Sequence, residues 1–243
     1  MSEQPRHWVV IPAAGAGRRF GGPVPKQYLA LGGRQVIDYS IAAFIDHPLI
    51  AGCVLALSPE DAWWPESAYA DHPALQRVAG GTERSDSVAN ALAHLVTHAA
   101  DEDWVLVHDA ARPCLTRADL DRLLAALREE PVGALLAVPV HDTVKCAEAA
   151  SGLRVERTLP RQQLWRAYTP QAFRLGQLRQ ALAQCQAHGL AITDEASAIE
   201  QLGLRPRLVE GRVDNIKITR PEDLPLAHFF LQQQREQSLH EAR

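Results

Sequence analysis

Cysteine is scarce and scattered: Cys53, Cys114, Cys146 and Cys185 lie far apart with no CxxC spacing. That pattern fits reduced thiols and excludes a disulfide scaffold or a structural zinc site. Long apolar runs are also missing, none approaching the roughly 20 residues of a membrane-spanning helix. The opening residues Met1-Ser2-Glu3-Gln4 lack the pattern of a signal peptide, so the expected location is the cytoplasm with no membrane partner. Basic residues are dispersed and the net charge is −4, which leaves no general footprint for nucleic acid. His94 and His98 stand four apart on a helical stretch, but Leu95 occupies the place where a metalloprotease carries its glutamate. Surface histidines are the expectation there. Internal repeats and low-complexity linkers are absent, and 243 residues leave no room for a second catalytic domain. One domain spanning 1–243 is expected.

What is present is alternation. Apolar strand-like runs recur at Trp8 to Ala13, Cys53 to Leu57, Leu75 to Ala79, Trp104 to His108 and Ala134 to Val140. Between them lie stripes of helical period: Val36, Ile37, Ser40, Ile41, Phe44 and Ile45; Val88, Leu92, Leu95 and Val96; Leu120, Leu123, Leu124 and Leu127. Such alternation predicts an α/β fold of the Rossmann-like kind, a mostly parallel twisted sheet flanked by helices. In these sheets ligands gather beyond the carboxyl ends of the strands, where the loops after Ile11, Val78 and Val107 would meet. The segment 141–161 breaks the rhythm and reads as a protruding β-hairpin, Asp142 to Ala147 and Leu153 to Leu159 around a polar turn. A lone hairpin is marginally stable in water and needs a surface to pack on. The stretch from Leu226, with Phe229, Phe230 and Leu231, reads as a packing helix.

The most telling loop is PAAGAGRRFGGPVPKQYL, Pro12 to Leu29, directly after the first strand. Gly15, Gly17, Gly21 and Gly22 permit close approach of backbone to an anion, and Arg18, Arg19 and Lys26 add three cations. A polyphosphate is the natural guest. Two common templates fail by counting. The dinucleotide fingerprint requires a glycine where Phe20 stands, and the P-loop spacing from Gly17 to Gly22 leads to Pro23 instead of lysine. Asp38, at about the spacing of a ribose-binding acid, falls inside a helical pattern. Pro23 and Pro25 predict that Lys26 projects from irregular backbone.

Three further strings bear chemistry. GGTERSDSV, Gly80 to Val88, follows a strand and opens a helix with Ser85 as the expected N-cap. VLVHDAARP ends a buried strand at Asp109 and Arg112, a pair able to engage phosphate, a hydroxyl or each other. In NIKITRPEDL, Lys217 is expected on a strand facing a cleft, with Thr219 and Glu222 forming a capping box. Thr193 is read as the N-cap of another helix. A DxD metal motif of the glycosyltransferase kind is not supplied by His108-Asp109-Ala110.

The string AAGxGxRxxxxxPKQ resembles the signature of the sugar-phosphate nucleotidyltransferases. PKQYL, HDAARP and LWRAYTPQAF are similar to the methylerythritol-phosphate cytidylyltransferases in particular, and the matches run from Val9 to Leu224. That resemblance implies transfer of a cytidylyl group from CTP to a sugar-alcohol phosphate, with Mg2+ bridging the phosphates. It implies Arg19, Lys26 and Lys217 as catalytic cations. It places the nucleotide against Ala13, Ala14, Gly15, Gly17, Gly81, Thr82 and Ser87, although many relatives carry an acidic or amide residue where Thr82 stands. Asp109, Arg112, Thr169 and Thr193 are implied to bind the sugar phosphate, with Asp109 also a possible metal contact through phosphates and water. Thr143 and Arg161 are implied to come from the partner of a homodimer that exchanges its arms. The alternatives are a ribitol-5-phosphate cytidylyltransferase and, from another class, a non-catalytic nucleotide sensor. No general base is required, because the attacking phosphate is already an anion.

Overall fold

Strand β1 (His7–Pro12) shows how both faces of a central sheet are filled. Its side chains alternate, Trp8 and Val10 to one face and Val9 and Ile11 to the other, and all four are buried. The computed structural model describes residues 4–15, 23–148 and 153–241. In chain order the remaining strands are β2 (Ala30–Leu31), β3 (Arg34–Gln35), β4 (Ile50–Leu57), β5 (Leu75–Ala79), β6 (Trp104–Val107), β7 (Gly133–Pro139), β8 (Val144–Ala147), β9 (Val155–Leu159), β10 (Trp165–Arg174) and β11 (Arg207–Glu210). The helices are α1 (Val36–Ile45), α2 (Arg84–Leu95), α3 (Arg117–Ala126), α4 (Leu175–Ala187), α5 (Glu195–Gln201) and α6 (Asp223–Glu241).

Seven strands form the sheet in the order β11-β7-β10-β6-β1-β4-β5. All run parallel except β10, which is antiparallel to both β6 and β7. Helices α1 and α3 cover one face, packing Ile37, Phe44, Leu120 and Leu123 on Val9, Leu55 and Leu106. On the other face α2, α4 and α5 set Leu92, Leu178 and Ile199 against Val10, Val54 and Val107. A third, smaller cluster docks α6 through Ala227 onto Val36, Ala111 and Ile218, while Phe229 stays exposed. The order reverses at β1, whose neighbours β4 and β6 lead to opposite halves of the sheet, so a crevice opens at its carboxyl end.

The anticipated hairpin is present as β8 and β9, paired antiparallel, with the intervening turn outside the described residues. Three expectations need correction. Helix α2 is capped at Glu83, not Ser85, because the Asp86 carboxylate accepts from the Glu83 N–H at 3.0 Å. Helix α5 is capped by Asp194, not Thr193; the Asp194 side chain accepts from the Ser197 N–H at 2.9 Å. Thr219 and Glu222 form no capping box, since Asp223 accepts from the N–H groups of Thr219 and Arg220 at 2.7 and 2.8 Å.

Candidate active site

Three strand ends converge on the crevice. Pro12 to Gly15 leave β1, Gly80 and Gly81 leave β5, and His108 and Asp109 leave β6. Of these, Pro12 to Gly15, Gly81 and Asp109 border a cavity of about 620 Å³ that is also lined by Lys26, Thr82, Arg84, Ser87 and Lys217. Close backbone packing explains the paired glycines. A Cβ on Gly80 would fall 2.2 Å from the Ala14 Cβ, and one on Gly81 would fall 2.2 Å from the Asp86 Cβ. The Gly81 N–H donates to Ser87 Oγ at 3.0 Å, and that hydroxyl donates to the Glu83 carbonyl at 3.2 Å. The wall expected to meet a nucleotide is therefore braced by its own hydrogen bonds.

The PKQ element works as a clasp. Gln27 is buried, and its Nε2 donates to the carbonyls of Ala13 at 2.8 Å and Gly15 at 3.1 Å. This fastens the loop after β1 to the turn that carries Lys26. Contrary to the expectation of irregular backbone, Lys26 opens a single 3-10 turn, Lys26–Tyr28, with Pro25 before it. Its Nζ donates to the Ile218 carbonyl at 2.9 Å, so the loop of Lys26 and the segment of Lys217 are tied together. Lys217 itself lies on an irregular stretch outside any strand, which corrects the strand expectation. The backbone there is held by the Ile218 N–H donating to the Ala111 carbonyl at 2.8 Å rather than by a sheet ladder. Arg19 and Gly17 lie outside the described residues.

Asp109 is the hub of the charge arrangement. Its Oδ1 accepts from Arg84 Nε at 2.9 Å, and its Oδ2 lies 2.8 Å from Lys217 Nζ and 3.5 Å from Arg112 Nε. Burial alone would raise the Asp109 carboxyl, but Arg84, Lys217 and Arg112 more than reverse this and hold it well below the usual carboxylate range. Arg84 closes a second pairing, its Nη1 and Nη2 donating to both oxygens of Glu195 at 2.6 and 3.0 Å. Burial works against its charge, yet Glu195 and Asp109 overcome that and keep the guanidinium above the ordinary arginine range.

Arg112 is buried, stacks over the Tyr168 ring at 4.5 Å and donates to the Asn215 carbonyl at 2.8 Å. Thr169 lies beneath Asp109. Its hydroxyl accepts from the Asp109 N–H at 3.1 Å and sits 3.0 Å from His108 Nδ1. Because His108 Nε2 faces the Arg112 carbonyl at 3.1 Å, that nitrogen carries the proton and Nδ1 accepts from Thr169. Burial pushes the His108 imidazole down to about 4, so it stays neutral at pH 7. Thr193, Thr143 and Arg161 do not line the cavity of their own chain. Thr193 receives no cap and offers its N–H to Ser197 Oγ at 3.2 Å. Thr143 and Arg161 belong to the exposed arm, where Arg161 donates to the His141 carbonyl.

Four residues that complete this arrangement were not singled out by sequence: Gln27, Arg84, Glu195 and Asn215. Gln27, Arg84 and Asn215 lie inside strings already noted and Glu195 lies two residues after Thr193, but the sequence alone gives no signal that distinguishes a buried brace from a solvated neighbour. Asn215 Nδ2 donates to the Thr169 carbonyl at 2.9 Å. Asp38, the acid at ribose-binding spacing, is instead a buried brace of α1 that accepts from Ser67 Oγ at 2.6 Å.

A divalent cation held by protein ligands does not fit these residues. Among the described residues no group of three or more His, Cys, Asp or Glu side chains could hold one. Asp109 faces a cation at each oxygen already, so a metal would have to displace Arg84 or Lys217.

A doubly wound sheet with a glycine-walled cavity at its switch point, edged by two lysines of which Lys217 is anchored on a carboxylate, defines a nucleotidyltransferase of the α/β class. Residues 7–233 match the family described as 2-C-methyl-D-erythritol 4-phosphate cytidylyltransferase, IspD. The chain belongs to that family. A Pseudomonas fluorescens protein of the same name is 57% identical over 221 residues, covering 90% of this chain and 93% of its own. The crystal structure of the Francisella tularensis enzyme superimposes with a TM-score of 0.80 at 38% identity, over 93% of this chain and 99% of that one. The Thermus thermophilus structure gives 0.74 at 34% identity, over 92% and 98%.

Proposed function

We propose that the chain transfers the cytidylyl group of CTP to 2-C-methyl-D-erythritol 4-phosphate. A phosphate oxygen of the sugar alcohol attacks the α-phosphorus, the bond from that phosphorus to the β-phosphate bridging oxygen breaks, and pyrophosphate leaves. Two anions must be brought together, so neutralisation and in-line positioning are the main tasks. The observation that carries this reading is the convergence of Lys26 and Lys217 at one cavity, Lys217 anchored on Asp109. Lys26, with Arg19, is assigned to the triphosphate and the departing pyrophosphate, and Lys217 to the α-phosphate and its attacker. Ala13, Ala14, Gly15, Gly17, Gly81, Thr82 and Ser87 are assigned to the nucleotide, and Asp109, Arg112, Thr169 and Thr193 to the sugar-phosphate end. Magnesium, carried by the triphosphate, would supply additional charge neutralisation.

Residues 1–243 are read as one nucleotidyltransferase domain whose arm, 141–161, crosses to a second copy and delivers Thr143 and Arg161 there. Exposed Leu153 and Val155 support a docked arm, since apolar side chains at a hairpin end favour cover. The proposed location is the cytoplasm, consistent with four free cysteines and with no described helix long and apolar enough to cross a membrane. The test is pyrophosphate release with CTP and magnesium, comparing 2-C-methyl-D-erythritol 4-phosphate with D-ribitol 5-phosphate, and ATP, GTP and UTP as controls. Turnover with the methylated substrate and CTP is expected. Turnover with ribitol phosphate alone would replace the substrate assignment.

A further inference from the structure

Glu195 is the first residue of α5, is 1% exposed and does not line the cavity. Burying a carboxylate is costly unless it is paired and hydrogen-bonded. Its pairing is specific: both of its oxygens take the two Nη groups of Arg84, the fork geometry that best matches a carboxylate. This leaves only Nε of Arg84 for Asp109, so Asp109 is held through one oxygen and its Oδ2 is turned toward Lys217. Glu195 is itself fixed from behind. Gln171 on β10 accepts from the Ala196 N–H at 2.8 Å and donates to Asp194 Oδ2 at 2.8 Å. The result is a continuous line from α5 through α2 and the loop after β6 to Lys217.

We infer that Glu195 is a positioning residue for the transfer reaction, setting the Lys217 ammonium through Arg84, which borders the cavity, and Asp109, without touching the substrate itself. With the Glu195 charge removed, the Arg84 fork is released and can take both oxygens of Asp109, drawing Oδ2 away from Lys217. Misplacing a charge-stabilising group by about 1 Å costs up to roughly 10²-fold in rate. The loss falls on kcat, because Lys217 is assigned to the reacting phosphates and the nucleotide wall is built by other residues. This inference rests on the nucleotidyl-transfer reading above.

The experiment is steady-state kinetics on the full chain for wild type, Glu195→Gln, Lys217→Ala and the double variant, with CTP, magnesium and the sugar-alcohol phosphate. Glu195→Gln is expected to lower kcat by ~10- to 100-fold with the KM for CTP changed by less than about threefold. The double variant is expected to be no slower than Lys217→Ala alone, because both act through one cation. Should Glu195→Gln fail to fold by circular dichroism, Arg84→Lys takes its place, since a lysine cannot serve both acids. Near-normal kcat in a folded variant, or effects that multiply in the double variant, would overturn the inference. Wild-type turnover with ribitol phosphate alone would sink the substrate assignment, while the same four proteins on that substrate still decide the positioning role. No wild-type turnover with either would overturn both.

Discussion

Gln27 offers a sharp test of how the nucleotide wall is held. Its carboxamide donates two hydrogen bonds, to the Ala13 and Gly15 carbonyls, from a buried position. Gln27→Met preserves most of the volume and removes both donors. At about 1 kcal/mol per bond the expected loss is about 2 kcal/mol, before any further penalty for carbonyls left without partners. For a chain of 243 residues that corresponds to a fall in Tm of roughly 4–8 °C. Gln27→Glu is expected to be worse at pH 7, because an ionised carboxylate cannot donate and would face two carbonyl oxygens. Since Ala13 to Gly15 border the cavity, the KM for CTP should rise about tenfold, equivalent to about 1.4 kcal/mol, with a smaller change in kcat. Thermal unfolding and initial-rate kinetics on both variants supply the readouts. A Gln27→Glu protein with wild-type Tm and wild-type KM would show that the clasp does not hold the loop.

Lys26→Ala and Lys217→Ala should each lower kcat by on the order of 10²-fold while the protein stays folded; near-normal turnover in a folded Lys26→Ala variant would remove that lysine from the mechanism. Asp109→Asn is expected to slow turnover although it makes the site more positive, because an amide oxygen cannot anchor Arg84, Arg112 and Lys217 together; faster turnover or tighter CTP binding would favour bulk charge over placement. His108 stays neutral in the folded protein down to about 4, against 6.5 for the free side chain, so the unfolded chain binds the extra proton as pH falls. Stability is then full above about pH 6.5 and lost toward pH 4 by about 3 kcal/mol, and urea unfolding of His108→Gln should show a shallower acid slope over that range. Burial pushes the Cys53 and Cys114 thiols up to about 12, and Cys185 is also buried, so a thiol reagent should titrate Cys146 first and all four cysteines only after denaturation; rapid native-state labelling of a second thiol would contradict this.

Much of the sheet was legible because its parallel strands are buried on both faces and read as unbroken apolar runs. Strands β1, β4, β6 and β7 coincide with such runs, whereas edge strand β5 carries Gln76 and Arg77 and is only partly buried. Strand β10 was not, since Pro170 interrupts it and a proline argues against a central strand. The ladder in fact breaks between Ala167 and Gln171 and resumes on the other side. Edge strand β11 is short and mostly exposed, which leaves little apolar signal. Cap residues were misplaced by one or two positions because several oxygen-bearing side chains crowd each helix start, as Glu83, Ser85 and Asp86 do at α2. Site residues in glycine-rich or charged strings were visible, whereas Arg84 and Glu195 were hidden. Their meaning depends on a contact between residues 111 positions apart.

A site that must gather two phosphorylated molecules places carboxylates among its cations, which weakens its attraction for anions. The structure gives a physical reason. Among the described residues, Arg84, Arg112 and Lys217 are held on two carboxylates, Asp109 and Glu195, and Lys26 stands at the same cavity, so the carboxylates fix the cations without outnumbering them. Without the carboxylates, Arg84 and Arg112 would be partly or fully buried beside like charges, Arg84 without its acid partners and Arg112 left to the Asn215 carbonyl and the Tyr168 ring. They would turn to solvent, and ordering them again would draw on the binding energy of each substrate. With the carboxylates in place the cations are fixed before any phosphate arrives, and little reorganisation is left for the moment of transfer. The loss in long-range attraction is spread over the whole encounter, while the gain is concentrated where the charge develops. That balance makes Asp109 an anchor within an anion site rather than a contradiction of it.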